Sequence, residues 1–331
     1  MQRSVIVFLL IVAAIASVSA TGSSEAGAEN EQAQPVDRAP VVLRIGTLRG
    51  PTAVGMAPLM AQPDRLGPEI DPQFTVYGTP DLLVSQILAG VLDIVALPTN
   101  LAANLYNRQS GLQLLAASGG GVLYLVSDRA LGWEDIRGRT VHTLARGATP
   151  DILFQALARA SGLEPGIDFD LRYSADQTEL AQQLIAGHVD LAVLPEPFVT
   201  RVIGANPDLR VAMDLGETYR EHFGGETYPM TALAVSRSFA EQHATVLETF
   251  AAAYIDGLDW FRANREQGAA EAAERVSIPA PVIVSAFDRL NLLYIPAATA
   301  RDDVHRLLEI FHDFNPRSIG GSLPDDGFYR R

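Results

Sequence analysis

The chain has 331 residues and carries 39 Asp+Glu against 25 Lys+Arg, a formal net charge of −14. Its 48% apolar and 19% charged content describe a folded chain with length for about two domains, and the acidic balance disfavours nucleic acid, whose binding draws on basic side chains against phosphate. Cysteine and lysine are both absent, so every basic residue is Arg. That excludes disulfides, thiolate nucleophiles, cysteine-held zinc or iron–sulfur clusters, and any Schiff-base or phosphate-loop lysine.

Arg3 precedes an apolar run from Val5 to Ile15, and small residues follow as far as Ala20. This pattern predicts a secretory signal peptide over 1–20, shorter than the roughly 20 apolar residues that a membrane span needs. With no cysteine to carry a lipid, the exported chain is expected to be unlipidated. Residues 21–40 are small, polar and acidic and read as a leader with too little apolar surface to pack.

From Val41 onwards apolar runs alternate with amphipathic stretches. The pattern predicts a strand over 41–48, a helix from about Ala53, a strand over 74–79, a helix after Pro80 that Gly90 ends, a strand over 93–98 and a helix over 100–108. It then restarts, with a strand over 139–144, a helix over 151–162, a strand over 169–174, a helix over 178–187 and a strand over 190–195. QILAGVLDIVALPTNL (86–101) aligns without gaps on QLIAGHVDLAVLPEPF (183–198) at an offset of 97, with six of sixteen positions identical. Gly50 and Thr52 keep that offset from Gly147 and Thr149. The shared residues do structural jobs: a Gly closes the helix in a left-handed conformation, and a Pro ends the strand where the chain leaves the sheet. Two similar α/β lobes follow. The remainder, from about 237, reads as helical by period and is assigned back to the first lobe. Lobe one is thus 41–120 plus 237–331 and lobe two 121–236, joined by crossings near Gly119-Gly120-Gly121 and near Ser236, with a hinge and a cleft between them.

Beyond the signal peptide, several segments carry a family resemblance: GTLRGPT (46–52), QILAGVLDIVALPTNLA (86–102), GVLYLVS (121–127), WEDIRGRTVHTLARGATP (133–150), GHVDLAVLPEPFV (187–199) and GGSLPDDGFYR (320–330). Together they resemble the periplasmic solute-binding proteins of ABC importers, in the nitrate/sulfonate/taurine and thiamine-precursor-binding group. The resemblance implies a type II-like two-lobed fold that closes on a small solute. It further implies a monomer outside the cytoplasm that delivers its cargo to a permease and its ATPase. A small organic heterocycle or a sulfonate-like compound is the expected cargo.

In α/β lobes ligands sit beyond the carboxyl ends of the strands, where helix N-termini present free N–H groups. Four turns qualify, and they carry Arg49, Gly50 and Thr52; Thr99 and Asn100; Arg146, Gly147 and Thr149; and Glu196. The glycines allow close backbone approach. The Thr and Asn side chains suit either a ligand or a helix cap. The two Arg suit an oxyanion if they point inward. Glu196, between two prolines, suits either an amine or a tie at the hinge. Tyr228 is the aromatic best placed for a planar ligand.

Six histidines (142, 188, 222, 243, 305 and 312) show no metal-ligand spacing, and no G-x-S-x-G, phosphate-loop or dinucleotide motif occurs. No catalytic residue, metal or cofactor is therefore expected. Two alternatives remain: an enzyme of the same fold acting on a thiamine or menaquinone precursor, and an exported sensor or partner-binding module.

Overall fold

The computed structural model describes residues 39–331 except Ala145, Ala175 and Glu226. The expected signal peptide and all but the last two residues of the leader lie outside the described residues. The chain order begins β1 (Val41–Leu48), α1 (Pro51–Ala61), β2 (Ile70–Tyr77), α2 (Pro80–Leu88), β3 (Ile94–Pro98), α3 (Thr99–Asn107) and β4 (Leu112–Gly119). It continues with β5 (Leu123–Ser127), β6 (Thr140–Leu144), α4 (Thr149–Ala160), β7 (Asp170–Ser174), α5 (Gln177–Ile185), β8 (Leu191–Pro195), α6 (Phe198–Ala205), β9 (Arg210–Asp214) and α7 (Leu215–Phe223). The last part is β10 (Thr231–Ser236), α8 (Arg237–Gln242), α9 (Ala244–Ala263), α10 (Arg265–Val276), α11 (Ala280–Ala286), β11 (Leu292–Pro296) and α12 (Ala297–Phe314).

These strands form two sheets, as the two-lobed α/β reading requires. One has the order β11-β4-β10-β3-β1-β2 and the other β7-β6-β8-β5-β9. In the first, β1 runs parallel to β2 and β3, while β10 lies antiparallel between β3 and β4. In the second, β6 runs parallel to β7 and β8, while β5 lies antiparallel between β8 and β9. The lobes share one plan, and in each the interior antiparallel strand is the first strand after a crossing.

The repeat in sequence is a repeat in structure. α2 and α5 start and stop at an offset of 97, as do β3 and β8. Gly90 (φ 68°) and Gly187 (φ 72°) take the left-handed conformation that follows each helix. β3 is buried along all but its last residue and β8 throughout, which accounts for their unbroken apolar runs. Asp93 and Asp190 pair with Arg44 and Arg139. Pro72 falls inside β2, where an edge position tolerates its missing N–H.

Two sequence expectations need correction. TALAVS (231–236) is β10 of the first sheet, so the second crossing lies ahead of it, around Thr227 and Tyr228, and not near Ser236; the run is apolar because it fills the slot between β3 and β4. The part after 237 is also not wholly helical, because Leu292–Pro296 pairs with β4 as an edge strand.

The two crossings run side by side. Gly121 N–H donates to Thr227 Oγ1 (2.8 Å), and Leu123 N–H to the Tyr228 hydroxyl (3.3 Å). A Cβ on Gly120 would stand 2.7 Å from Thr227 Oγ1, and one on Gly121 2.5 Å from the Tyr228 ring. The three-glycine run is thus a steric requirement of the hinge. A single apolar core continues from α3 and α12 (Leu105, Val304, Leu308) into α4 and α7 (Ile152, Leu153, Leu215). No helix among the described residues is long and apolar enough to cross a membrane.

Gly121→Ala forces its methyl into the Tyr228 ring, and overpacking of this kind costs about 1–3 kcal/mol. Denaturant unfolding should show that loss; an unchanged midpoint contradicts the close approach of the crossings.

Candidate functional site

A cavity of about 190 Å³ lies between the two lobes. Lobe one supplies Arg49 and Gly50 from the β1–α1 turn, together with Val276, Ser277, Ile278, Pro279 and Val282 from the α10–α11 connection. Lobe two supplies Gln177 and Thr178 at the start of α5, and Pro197, Phe198 and Arg201 at the start of α6. Four helices therefore begin at the cavity wall, α1, α5, α6 and the short α11, and a helix start carries the positive end of the dipole. The N-termini of α5 and α6 are already occupied: Asp176 accepts from Thr178 N and Glu179 N, and Glu196 from Thr200 N. α1 has no side-chain cap, and its N-cap residue Gly50 has φ 122°, a conformation that favours glycine.

Arg49 and Arg201 reach the cavity from opposite lobes, and neither has an ion-pair partner among the described residues. No carboxylate stands among the described residues that line the cavity. In a chain with 39 acidic residues this leaves a net positive pocket. Phe198, Val276, Ile278 and Val282 give it an apolar flank.

The structure sorts the ten residues singled out from sequence. Arg49 and Gly50 line the cavity. Thr149 donates to Asn100 Oδ1 at 3.2 Å, so the start of α4 meets the start of α3 across the lobes. Thr52 donates back to Leu48 O (2.6 Å), and buried Thr99 donates to Pro229 O (2.6 Å). Gly147 (φ 80°) donates its N–H to Asp151 Oδ2 (2.7 Å), and the Arg146 guanidinium lies over the Tyr173 ring at 4.5 Å. Glu196 is fully buried and bonded to Arg289 and Thr200. Tyr228 is also fully buried, against Tyr219, and burial pushes its hydroxyl well above the ordinary tyrosine range. It has no face on the cavity.

Sequence reasoning missed Arg201, Phe198, Gln177 and Thr178; the first two directly follow the marked Glu196 turn, whereas the β7–α5 turn ahead of Gln177 and Thr178 was not among the four singled out. It had no signal for the α10–α11 connection, which reaches the cavity only through tertiary packing. It also missed Asp151, a carboxylate with 1% exposure that shapes the β6–α4 turn. Asp151 accepts from Gly147 N, from Gln155 Nε2 (2.6 Å) and from the Tyr173 hydroxyl (3.1 Å). An acid in a first helical turn is the available signal.

A protein-family model described as VitK2_biosynth, menaquinone biosynthesis, matches residues 55–301. The chain belongs to the menaquinone-biosynthesis family. No curated protein matches it in sequence. Among solved structures, periplasmic binding proteins are structural relatives of the chain. An ABC transporter protein from Parabacteroides distasonis is 26% identical, with 88% of this chain and 99% of that one covered at a TM-score of 0.78. The periplasmic aliphatic sulphonate binding protein SsuA from Escherichia coli is 18% identical over 86% of this chain and 91% of its own, at 0.69. The periplasmic nitrate-binding protein NrtA from Synechocystis PCC 6803 is 12% identical over 84% and 83%, at 0.63. The two-lobed fold of periplasmic binding proteins is thus the fold of this chain.

Asp151→Asn should destabilise the protein by about 1–3 kcal/mol, because the amide cannot accept all three bonds. It should also bring the Tyr173 hydroxyl down from about 12, where burial and then the Asp151 charge hold it, towards its usual 10.0. A raised phenol favours the folded state fully below the unfolded value and loses that effect as pH climbs through the folded one. In the wild type the Tyr173 contribution therefore fades between about pH 10 and pH 12. A tyrosinate absorbance titration of both proteins checks this, and superimposable curves contradict it.

Proposed function

We propose that the protein is an extracytoplasmic solute-binding protein that takes a small organic anion between its lobes and delivers it to the permease of an ABC importer. The observation that carries this reading is the pair Arg49 and Arg201, one from each lobe, unpaired beside one cavity that lacks carboxylates. A guanidinium presents a planar fork of donors to a sulfonate or carboxylate. An anion held by both is bound fully only when the lobes are together, so the solute draws the population towards the closed form. Phe198, Val276, Ile278 and Val282 would cover an aliphatic or aromatic body attached to the anionic head. The structural relatives, periplasmic proteins that bind sulphonate and nitrate, agree in ligand charge and in compartment. Glu196 and Tyr228, which argued for an amine-bearing heterocycle, are satisfied away from the cavity. Export by the N-terminal signal and action as a monomer belong to the same proposal.

The family match favours a second reading, an enzyme acting on a menaquinone precursor. Against it, the described residues lining the cavity include no His, Asp or Glu to act as general acid or base, and the whole chain has no Lys or Cys nucleophile.

Calorimetric titration with short aliphatic sulfonates and carboxylates tests the proposal. A charged hydrogen bond contributes about 1.5–3 kcal/mol, so Arg49→Ala and Arg201→Ala should each weaken binding by about 10–100-fold while leaving the fold intact. Tight binding of a neutral heterocycle that ignores both substitutions contradicts the anion reading; conversion of the bound compound to a product favours the enzyme.

A further inference from the structure

Glu196 is a fully buried carboxylate that directly follows β8 of lobe two and precedes the cavity residues Pro197 and Phe198. Its partner comes from the other lobe. Arg289 Nε donates to Glu196 Oε1 at 2.5 Å, and Arg289 Nη2 donates to Thr200 Oγ1 at 2.6 Å. Thr200 in turn donates its hydroxyl to Glu196 Oε1 and its N–H to Oε2, both at 3.0 Å. Arg289 sits in the 3-10 turn Phe287–Leu290, directly after α11. That turn is part of lobe one: Phe287 and Leu290 share an apolar cluster with Ala53, Val54 and Ala57 of α1. Among the described residues this is the one ion pair that joins the segments carrying the two sheets.

The same turn is fixed to the hinge. Asn291, left-handed at φ 45°, accepts from Gly120 N (2.9 Å) through its carbonyl and donates its side-chain amide to Gly121 O. Glu196 N donates to Val122 O (2.9 Å), so the lobe-two end of the pair is tied to the same crossing. The two cavity walls are short extensions of these anchors: Pro197, Phe198 and Arg201 on one side, and the α10–α11 connection with Val282 on the other.

We propose that Arg289 is a positioning residue for solute binding: by pairing with buried Glu196 it latches the β8–α6 turn of lobe two to lobe one and holds Arg201 opposite Arg49. Its effect on affinity rests on the anion-binding reading above, whereas its effect on lobe geometry does not. Opening the lobes at this point strips a buried carboxylate of its cation, a costly step unless water reaches it. The pair therefore sets how often the ligand-free protein is closed, and a closed population determines apparent affinity.

The test compares wild type with Arg289→Ala, Arg289→Lys and the double variant Glu196→Gln/Arg289→Ala, by small-angle scattering without ligand and by sulfonate titration. Arg289→Ala should show a larger radius of gyration and at least tenfold weaker binding, with Arg289→Lys in between. The double variant removes the uncompensated charge and should regain thermal stability while remaining open, which a merely structural role would not produce. If Arg289→Ala does not fold, the double variant decides the matter alone. A folded variant with wild-type scattering overturns the latch. If scattering changes as expected but neither wild type nor variant binds any organic anion, the latch stands and the anion reading falls.

Discussion

Each lobe completes its sheet with a strand that has just arrived from the other lobe, and the rest of the molecule follows from that exchange. β5 enters the second sheet immediately after the first crossing, and β10 enters the first sheet immediately after the second. Both slots are interior, so neither strand can be withdrawn without opening a sheet. The two crossings must therefore lie together, and they do so closely enough that side chains on Gly119, Gly120 and Gly121 would collide with Thr227, Tyr228 and Thr231. This double connection turns the carboxyl ends of the parallel strands towards each other, and the turns that follow β1 and β8 meet at one cavity.

Charge at the interface is arranged with economy. Many guanidinium groups are committed to carboxylates within their own lobe, as in Arg44–Asp93, Arg137–Asp168 and Arg265–Asp288. Such surface pairs add little to stability, about 0–1 kcal/mol each. Three guanidinium groups are exceptions. Arg289 crosses to Glu196, and Arg49 and Arg201 face one cavity without a partner among the described residues. On the proposed reading, these two unpaired cations beside an enclosed space, in a strongly acidic chain, are where a mobile anion completes the charge balance.

Much of the fold was legible because it is local. Gly90 and Gly187 end equivalent helices, Pro98 and Pro195 end equivalent strands, and each residue acts through its own backbone preference within a few positions of the chain. The destination of β10 was not legible: TALAVS announces a buried strand, but nothing in it says which sheet has the vacancy. β11 was hidden for a similar reason, being a five-residue edge strand between helical segments. At the site, sequence found the turns and only part of the chemistry. Arg49 and Gly50 stand at the cavity, yet the hydroxyls of Thr52 and Thr99 turned inward to carbonyl groups, a choice that depends on chain segments up to 130 residues away. Glu196 likewise reads as a free acid until Arg289, 93 residues on, is folded against it.

The most direct measurement is a crystal structure grown with whichever organic anion binds in solution. The account predicts its anionic head between Arg49 and Arg201, its apolar part against Phe198 and Ile278, and the lobes closed over it. A head group bound elsewhere, or held within one lobe with these two side chains turned to solvent, would contradict it.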